Sequence, residues 1–570
     1  MLNKDLDIKI DRKKQWLVVL IIAIILLGVS FRLLSLNKDI TAEETDFIGA
    51  AKSIANSGHP IFYQSEQFPI AVALWHPPMY ISALSNIIIF STSEIAIRSL
   101  NVLAILLTSV IIFCFCSRLI EKNGKIIGLV SSALFLINYY VLSSSLLIDI
   151  DAFSTLFLFS FIFFIILAHK NNKSRYYLLA AISFLFSLAN RYPIAIIVFC
   201  AIFIYLFLKK ETRQFSYKYF LTGIVSGLVF LLIWLLYSTI IEPGTFFSFI
   251  SHNVNLGAAQ FKSLGLYLAS FFLNTAQIIR LFTLPAVILF ILAFFYLVRR
   301  KEEWIRILFV YVLATLLLFI IVPRPAFGYP RYFLTLTPGF FILISIYLGN
   351  FFENIKIKIE YLILGAIFLI ASLLMLILFN PQPAIYINSG LIKATNLPDF
   401  IFNVLCIFPL VIVLIFKKRA RKFVLVLGLV AIFLSYNLYF DIKYVAYNSH
   451  TKEVGEYLRA HTTSEDIIIC PKAVGYYYGR GYYFNDYYKP QIDKLSVEYF
   501  VDYIKKSYEN PKMDSEFFWG DDIYGGVYVS NYTQPDERLY GSKYIVTNYL
   551  SADNAPEKII GEFYIYRMKE

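Results

Sequence analysis

The sequence predicts an integral membrane protein whose membrane part is all-α, with about thirteen transmembrane helices and a small C-terminal α/β domain outside the membrane. Three observations lead to this fold class. Hydrophobic residues make up 58% of the 570 residues and aromatic residues 18%, more than soluble proteins of average composition carry. Apolar runs of spanning length recur along the chain. The positive charge lies in the short loops between these runs.

The apolar runs define the predicted helices, because a hydrocarbon layer is crossed by about 20 apolar residues in a helix. They lie at 16–36, 96–117, 126–147, 152–168, 176–189, 192–208, 219–240, 281–298, 305–322, 333–349, 359–379, 400–416 and 423–439. The runs at 176–189 and 192–208 are short, and only Arg191 and its neighbours separate them. The alternative, that these two runs do not each cross the membrane, changes the count by one or two.

The basic loops set the orientation, because Lys and Arg accumulate on the cytoplasmic side. If every run crosses once, the basic segments fall on one side: 9–14, 121–125, 169–175, 209–213, 298–303 and 417–422. We therefore predict a multi-pass protein of the cell membrane, either a plasma or an inner membrane, with a cytoplasmic N-terminus. The odd number of helices places the C-terminal domain outside.

Charge also divides the chain into two predicted domains. Residues 441–570 carry 15 Lys and Arg against 20 Asp and Glu, whereas residues 1–440 carry a net charge of +17. Residues 1–440 are the predicted membrane domain, in which the first outer loop, 37–91, forms juxtamembrane helices. In the tail, residues 451–460 have a helical pattern, and 466–470, 543–548 and 562–568 resemble strands. The basic residues form no single patch, which argues against nucleic acid as a partner.

The first outer loop carries three acidic candidates for catalysis, Glu43, Glu44 and Asp46. The apolar residues that follow recur at helical spacing: Phe47, Ala50, Ala51 and Ile54. This spacing indicates a helix along the membrane surface whose acidic first turn faces a cleft. The alternative is that these acids only stabilise a helix N-terminus. Both interpretations stay open.

A second acidic pair, Asp149 and Asp151, lies where the third predicted helix turns into the fourth, with apolar residues on both sides. Burying two carboxylates is costly unless they have partners or a function. A D-x-D pair also occurs in metal–nucleotide sites, but nucleotide sugars are not supplied on the outer side. A solvated cap of the fourth helix by Asp151 is the structural alternative.

Cations are few on the predicted outer side, and they are candidates for binding a phosphate: His76, Arg191, Arg324 and Arg331. The planar guanidinium group of arginine can bind two phosphate oxygens at once. Snorkelling of the long side chain to the interface is the competing explanation for each arginine.

Such a set of residues suits one reaction. A sugar on a polyprenyl phosphate already carries a good leaving group, so cations that neutralise the phosphate and one carboxylate base are sufficient. The sequence has no Gly-rich phosphate loop, zinc-protease helix, nucleophile elbow or kinase signature. It indicates no certain cofactor and leaves a divalent metal ion open.

The order of these motifs resembles the C-superfamily glycosyltransferases, GT-C, in the group of protein mannosyltransferases and lipid A aminoarabinose transferases. The matching positions are Glu43-Glu44-Thr45-Asp46-Phe47, His76-Pro77-Pro78, Arg98, Asp151 and Arg331-Tyr332. The resemblance extends over residues 16 to about 350. The tail resembles the family only in its general type. It implies a GT-C fold and inverting transfer from a polyprenyl-phosphate sugar.

Carried over by position, Glu43 stands at the family's catalytic Asp, and Asp151 at its second acid. His76 stands where aminoarabinose transferases have a phosphate-contacting Lys, and the resemblance adds Tyr332 beside Arg331 to the donor-phosphate set. Glu43 is one methylene longer than the usual Asp, and Phe47 lacks the usual hydroxyl. The base therefore stays open among the three acids of the first loop.

The resemblance implies three partners: a polyprenyl-phosphate sugar donor, a glycan, lipid or protein acceptor, and the lipid bilayer. The expected acceptor is a lipid-linked or cell-surface glycan such as lipopolysaccharide. Protein O-mannosyl transfer and transfer of a whole oligosaccharide are the enzymatic alternatives. A transporter would place ionisable groups near the bilayer midplane, often in two related halves, and the sequence has no such repeat.

Overall fold

A computed structural model describes residues 12–57, 62–65, 68–70, 79–209, 213–241, 271, 278, 281–321, 330–353, 359–379, 418–463, 466–478, 482–484, 542–547, 556–561 and 563–567. Its helices are α1 (Arg12–Leu34), α2 (Ala42–Ser57), α3 (Met79–Phe90), α4 (Glu94–Leu119), α5 (Gly124–Ile137), α6 (Tyr139–Leu146), α7 (Asp151–Asn171), α8 (Ser174–Leu208), α9 (Arg213–Ile241), α10 (Leu284–Leu297), α11 (Glu303–Ile321), a 3-10 helix (Pro330–Leu336), α12 (Thr337–Glu353), α13 (Ile359–Phe379), α14 (Lys418–Ala446), α15 (Thr451–His461) and α16 (Lys472–Tyr478). The strands are β1 (Phe62–Ser65), β2 (Phe68–Ile70), β3 (Ile467–Pro471), β4 (Tyr482–Phe484), β5 (Ser542–Thr547), β6 (Lys558–Ile560) and β7 (Phe563–Arg567).

Most of the described helices are apolar enough to belong in a bilayer. Within the described part of the chain, six helical segments can span a membrane, or seven if the bent pair α5 and α6 is one span. The chain is thus a multi-pass membrane protein. The described helices overlap twelve of the thirteen predicted runs, and the run at 400–416 lies outside the described residues.

Helix α8 is a hairpin rather than one straight helix. Its backbone breaks at Arg191, where φ is −146° and ψ is 77°. The rings of Phe184 and Phe199 lie 5.0 Å apart on either side of this break. In a straight helix, 15 residues would separate them by about 22 Å. The two halves therefore pack against each other as antiparallel helices, which agrees with the two short predicted runs on either side of Arg191.

The prediction of a single helix over 126–147 is wrong. The run is broken at Asn138 into α5 and α6, which are bent by 64°. Asn437 of α14 stabilises the break, because its Oδ1 atom accepts hydrogen bonds from the N–H of Tyr139 at 2.7 Å and from Asn138 Nδ2 at 3.2 Å. An apolar run cannot reveal a partner that comes from a distant helix.

The basic loops gather at one end of the helix bundle. Lys209 forms an ion pair with Glu303. A cavity of about 590 Å³ is bordered by residues from the predicted cytoplasmic loops, among them Lys122, Lys170 and Arg300. We call this end the predicted cytoplasmic end. The N-terminus of α4 lies at the other end, which we call the predicted outer end, because a helix of 26 residues extends about 39 Å.

The described tail combines α15 and α16 with a five-stranded mixed sheet in the order β4-β3-β5-β7-β6. Strand β3 pairs in parallel with β4 and β5, and β7 pairs antiparallel with β5 and β6. The predicted helix and the three predicted strands coincide with α15, β3, β5 and β7. The tail has a small apolar core of its own around Val454, Leu458 and Ile468.

Candidate functional site

Helix α2 forms where the sequence predicts it, and it packs into the protein rather than lying on the surface. Phe47, Ala50 and Ala51 are buried, and the ring of Phe47 lies 5.7 Å from that of Tyr80 in α3. The Tyr80 ring in turn lies 5.4 Å from that of Phe153 in α7. The first loop therefore packs against α7, the helix that begins at Asp151.

Arg98, at the predicted outer end of α4, organises the first loop. Its guanidinium group is buried and donates to the carboxylate of Glu44 at 2.9 and 3.1 Å. It also donates to the carbonyl of Asp39 at 2.8 Å and to that of Lys38. The Nε atom donates to the carbonyl of Leu146 at 2.9 Å. One side chain thus joins the first loop to the end of α6.

Glu44 is buried and accepts hydrogen bonds from four groups. Besides Arg98, these are the backbone N–H of Thr41 at 2.7 Å, the hydroxyl of Thr41 at 2.9 Å and the N–H of Ile148 at 3.0 Å. A carboxylate has about four acceptor sites. Glu44 therefore connects the start of α2, helix α4 and the turn before α7. Its hydrogen bonds give it a structural role.

Asp149 and Asp151 have different roles in the turn before α7. Asp149 Oδ1 accepts the N–H of Asp151 at 2.9 Å, so Asp149 holds the first turn of the helix. The alternative that Asp151 caps this helix is wrong, because Asp151 is already its first residue and the carboxylate forms an ion pair with Arg191. Both carboxylates are buried. Arg191 is the residue at the turn of the α8 hairpin, and the hairpin therefore positions it beside Asp151.

The remaining predicted residues divide into two sets. Glu43 and Asp46 belong to the first turns of α2, and Arg331 and Tyr332 to the 3-10 helix that contacts α6 and α7, but their side chains lie outside the described residues. His76 and Arg324 lie outside the described residues altogether. The structure therefore brings together Glu44, Asp149, Asp151 and Arg191, with Arg98 beside them.

Sequence reasoning did not find several residues at this end. Arg98 entered only through the family resemblance, although an arginine in an apolar run is itself a signal. Arg32 and Asp441, at the ends of the first and last runs, give the same signal and are both fully buried. Among the side chains that the structure describes, no group of three or more His, Cys, Asp or Glu residues is arranged to hold a metal ion.

Comparison with solved structures shows that the fold is GT-C-like. The crystal structure of ArnT from Cupriavidus metallidurans bound to undecaprenyl phosphate is similar at a TM-score of 0.57 and 14% identity, over 81% of this chain and 84% of that one. The same protein in the apo state matches at 0.55 and 15% identity, over 88% of this chain and 92% of that one. Among curated proteins, none matches this chain in sequence.

Part of the sequence also matches a known family. Residues 75–237 match the model of the family described as dolichyl-phosphate-mannose-protein mannosyltransferase. This segment contains His76, Arg98, Asp149, Asp151 and Arg191. The predicted resemblance to the protein mannosyltransferase and aminoarabinose transferase group is confirmed. This part of the chain is thus similar in sequence to that family, and the fold is similar to that of ArnT.

Proposed function

We propose that this chain transfers a sugar from a polyprenyl phosphate to a lipid-linked or cell-surface glycan at the outer face of the cell membrane, with inversion. The observation that carries the proposal is the ion pair between the buried Asp151 and the partly exposed Arg191. It lies at the end of the bundle that also holds α2, with its acids Glu43 and Asp46.

The guanidinium group of Arg191 serves the donor phosphate. It has five N–H donors, so it can contact a carboxylate and a phosphate at the same time. Asp151 fixes the orientation of the guanidinium group and balances its charge in a buried place. When the bond between the sugar and the phosphate breaks, the negative charge grows on the phosphate oxygen, and a nearby cation lowers the energy of that state. Arg331 and Tyr332 join this phosphate site in the proposal.

The base comes from the first loop. Glu44 already accepts hydrogen bonds from four groups, and each of them would weaken its ability to take a proton from an acceptor hydroxyl. Asp149 holds the N-terminus of α7. We assign the base to Glu43, the neighbour of the fixed Glu44, and Asp46 is the alternative. Glu44 then acts as the positioning residue for both.

The acceptor is the least constrained partner. The resemblance of the motifs to lipid A aminoarabinose transferases favours a lipid-linked glycan, whereas the family description of residues 75–237 favours a protein hydroxyl. A lipid acceptor can approach within the membrane plane, close to the apolar helices around α7. A glycan acceptor is therefore our first choice, and protein O-glycosylation is the second.

The test is transfer of radiolabelled sugar from a panel of synthetic polyprenyl-phosphate sugars by the purified full-length protein in detergent, with membrane lipid extract as the acceptor. We expect turnover by the wild type and a loss of at least about 100-fold for Glu43→Gln, which removes the proposed general base. Asp151→Asn should lose about as much, because the carboxylate orients the guanidinium group that stabilises the departing phosphate. Glu302→Gln, an exposed carboxylate at the predicted cytoplasmic end, is the matched control and should retain activity.

Two results would contradict the proposal. Full activity of both variants would remove these carboxylates from the reaction, and absence of turnover with every donor by folded wild type would remove the donor class. Asp46→Asn tests the alternative base in the same assay. Replacing the lipid extract with a Ser/Thr-rich peptide decides between the two acceptors.

A further inference from the structure

The tail is attached to the first loop by a tyrosine that enters the core of the membrane part. Tyr477 of α16 is buried, and it belongs to the apolar cluster of the membrane helices rather than to the separate core of the tail. Its hydroxyl accepts the N–H of Ile40 at 2.8 Å and donates to Glu94 at 3.0 Å. The hydroxyl therefore connects the segment before α2 with the N-terminus of α4.

Asp39 forms a second attachment, because it caps a helix of the tail. Helix α15 begins after His450, which lies in the left-handed region at φ 58° and makes no side-chain cap. Asp39 Oδ2 instead accepts the N–H of Lys452 at 3.2 Å and the hydroxyl of Thr451 at 3.3 Å. An acceptor at this position is what the free N–H groups of a helix start require.

The same short segment of the first loop faces the candidate site. The carbonyls of Lys38 and Asp39 accept hydrogen bonds from Arg98, which in turn holds Glu44. Lys38, Asp39 and Ile40 thus contact the tail with their side chains or N–H groups, and the carbonyls of Lys38 and Asp39 contact Arg98. Lys452 adds a contact to Glu94 at 3.3 Å.

We infer that the docked tail is a brace for the reaction: Asp39 and Tyr477 are positioning residues that hold the first loop, and with it the acids of α2, in place against Arg98. This inference rests on the proposed function, because it assigns the tail a part in the transfer at that same site. Loss of the brace should disturb the base and leave the phosphate site at Arg191 in place.

The experiment combines hydrogen exchange with kinetics on the full-length protein. Tyr477→Phe keeps the ring and removes the hydroxyl, so the buried N–H of Ile40 loses its acceptor. We expect exchange in residues 39–48 to accelerate roughly tenfold or more, since leaving a buried donor unpaired carries the full desolvation penalty. We also expect kcat to fall by a similar factor at an unchanged KM for the donor.

Asp39 gives an independent variant with a built-in rescue. Asp39→Ala should behave like Tyr477→Phe, whereas Asp39→Asn should retain most of the activity, because asparagine also caps helices well. The matched controls are Tyr457→Phe and Asp466→Ala. Tyr457 donates to Glu557, and Asp466 accepts from Thr463, so both side chains make these hydrogen bonds within the tail. Both controls should match the wild type in exchange and kinetics.

The two readouts separate the possible failures. Wild-type exchange at 39–48 in both Tyr477→Phe and Asp39→Ala would overturn the brace. Faster exchange with full turnover would overturn its link to the reaction. A rise in donor KM with unchanged kcat would also overturn it, because it would place the effect at the phosphate site. If the wild type transfers no sugar from any donor, the proposed function fails, and the exchange data still decide whether the tail holds the loop.

Discussion

Two arginines near the predicted outer end, Arg98 and Arg32, are both buried, but their guanidinium groups have different partners. Arg98 donates to a carboxylate and to three backbone carbonyls in two separate segments. Arg32, in the last turn of α1, donates through Nη1 to the carbonyls of Gly28 and Leu136 at 2.7 and 2.8 Å. Its acidic neighbour is Asp441 of α14, and neither carboxylate oxygen of Asp441 has a hydrogen-bond partner among the described residues.

The difference follows from the backbone around each arginine. The loops near Arg98 are not helical, so their carbonyls need donors, and the arginine supplies them. Arg32 lies between helices, whose backbone groups pair within each helix. Among the described residues it donates to the carbonyl of Leu136 near the end of α5 and to that of Gly28 in its own helix. Arg98 therefore specifies the conformation of the loops, whereas Arg32 and Asp441 attract each other without such a network.

Breaking the Arg98 network should have the largest effect. Arg98→Ala leaves Glu44 buried without its cation, which typically costs about 3–5 kcal/mol. Replacing both partners by Arg98→Met and Glu44→Leu should not restore stability, because the N–H groups of Thr41 and Ile148 would still lose their acceptor. The measurement is thermal unfolding in detergent. Arg300→Ala, at the predicted cytoplasmic end, is the control, and recovery in the double variant would contradict this account.

The second pair should show the opposite behaviour. Asp441→Leu alone leaves Arg32 buried without a counter-charge and should cost about 3 kcal/mol of the free energy of unfolding. The double variant Arg32→Met and Asp441→Leu should recover most of this loss, because apolar side chains often replace a buried ion pair without cost. A residual loss of about 1 kcal/mol is expected from the carbonyl of Leu136. Additive losses in the double-mutant cycle would mean that the two charges do not interact.

Much of the fold can be predicted from the sequence, because long apolar runs and loop charge follow directly from the chemistry of the bilayer. The break between α5 and α6 cannot be predicted in this way. Asn138 is a polar residue within an apolar run, and the group that stabilises the break, Asn437, is 299 positions away in sequence. The dependence on a distant partner explains why a continuous run was predicted as one helix.

The candidate site was predicted in outline but not in its division of roles. The acids and Arg191 stood out because charges are rare in apolar surroundings. Glu44 could not be distinguished from Glu43, since its partners Arg98 and Ile148 lie 54 and 104 positions away. The roles of Asp149 and Asp151 cannot be separated from the sequence for a similar reason, because the ion pair of Asp151 to Arg191 exists only once α8 has folded into a hairpin.

The smallest expected effect is a pH dependence at Lys38, which lies in the same segment as the Arg98 network. Burial and the nearby charge of Arg98 lower the pKa of Lys38 to about 8, from an ordinary value of 10.5. Between these two values the unfolded chain binds more protons than the folded protein. The free energy of unfolding should therefore increase as the pH rises from about 8 to about 10.5. This increase is lost again as the pH falls to 8.

Lys38→Gln isolates this contribution. The unfolding temperature of the wild type, measured relative to that of the variant, should increase between about pH 8 and pH 10 and stay constant below about pH 7. The amine can still donate to the carbonyl of Tyr447 after it loses a proton, so the contact to the end of α14 should persist. Lys301→Gln, in the loop at the predicted cytoplasmic end, is the control. A difference that does not change with pH would mean that Lys38 stays charged throughout. Burial and the charge of Arg98 would then not lower its pKa.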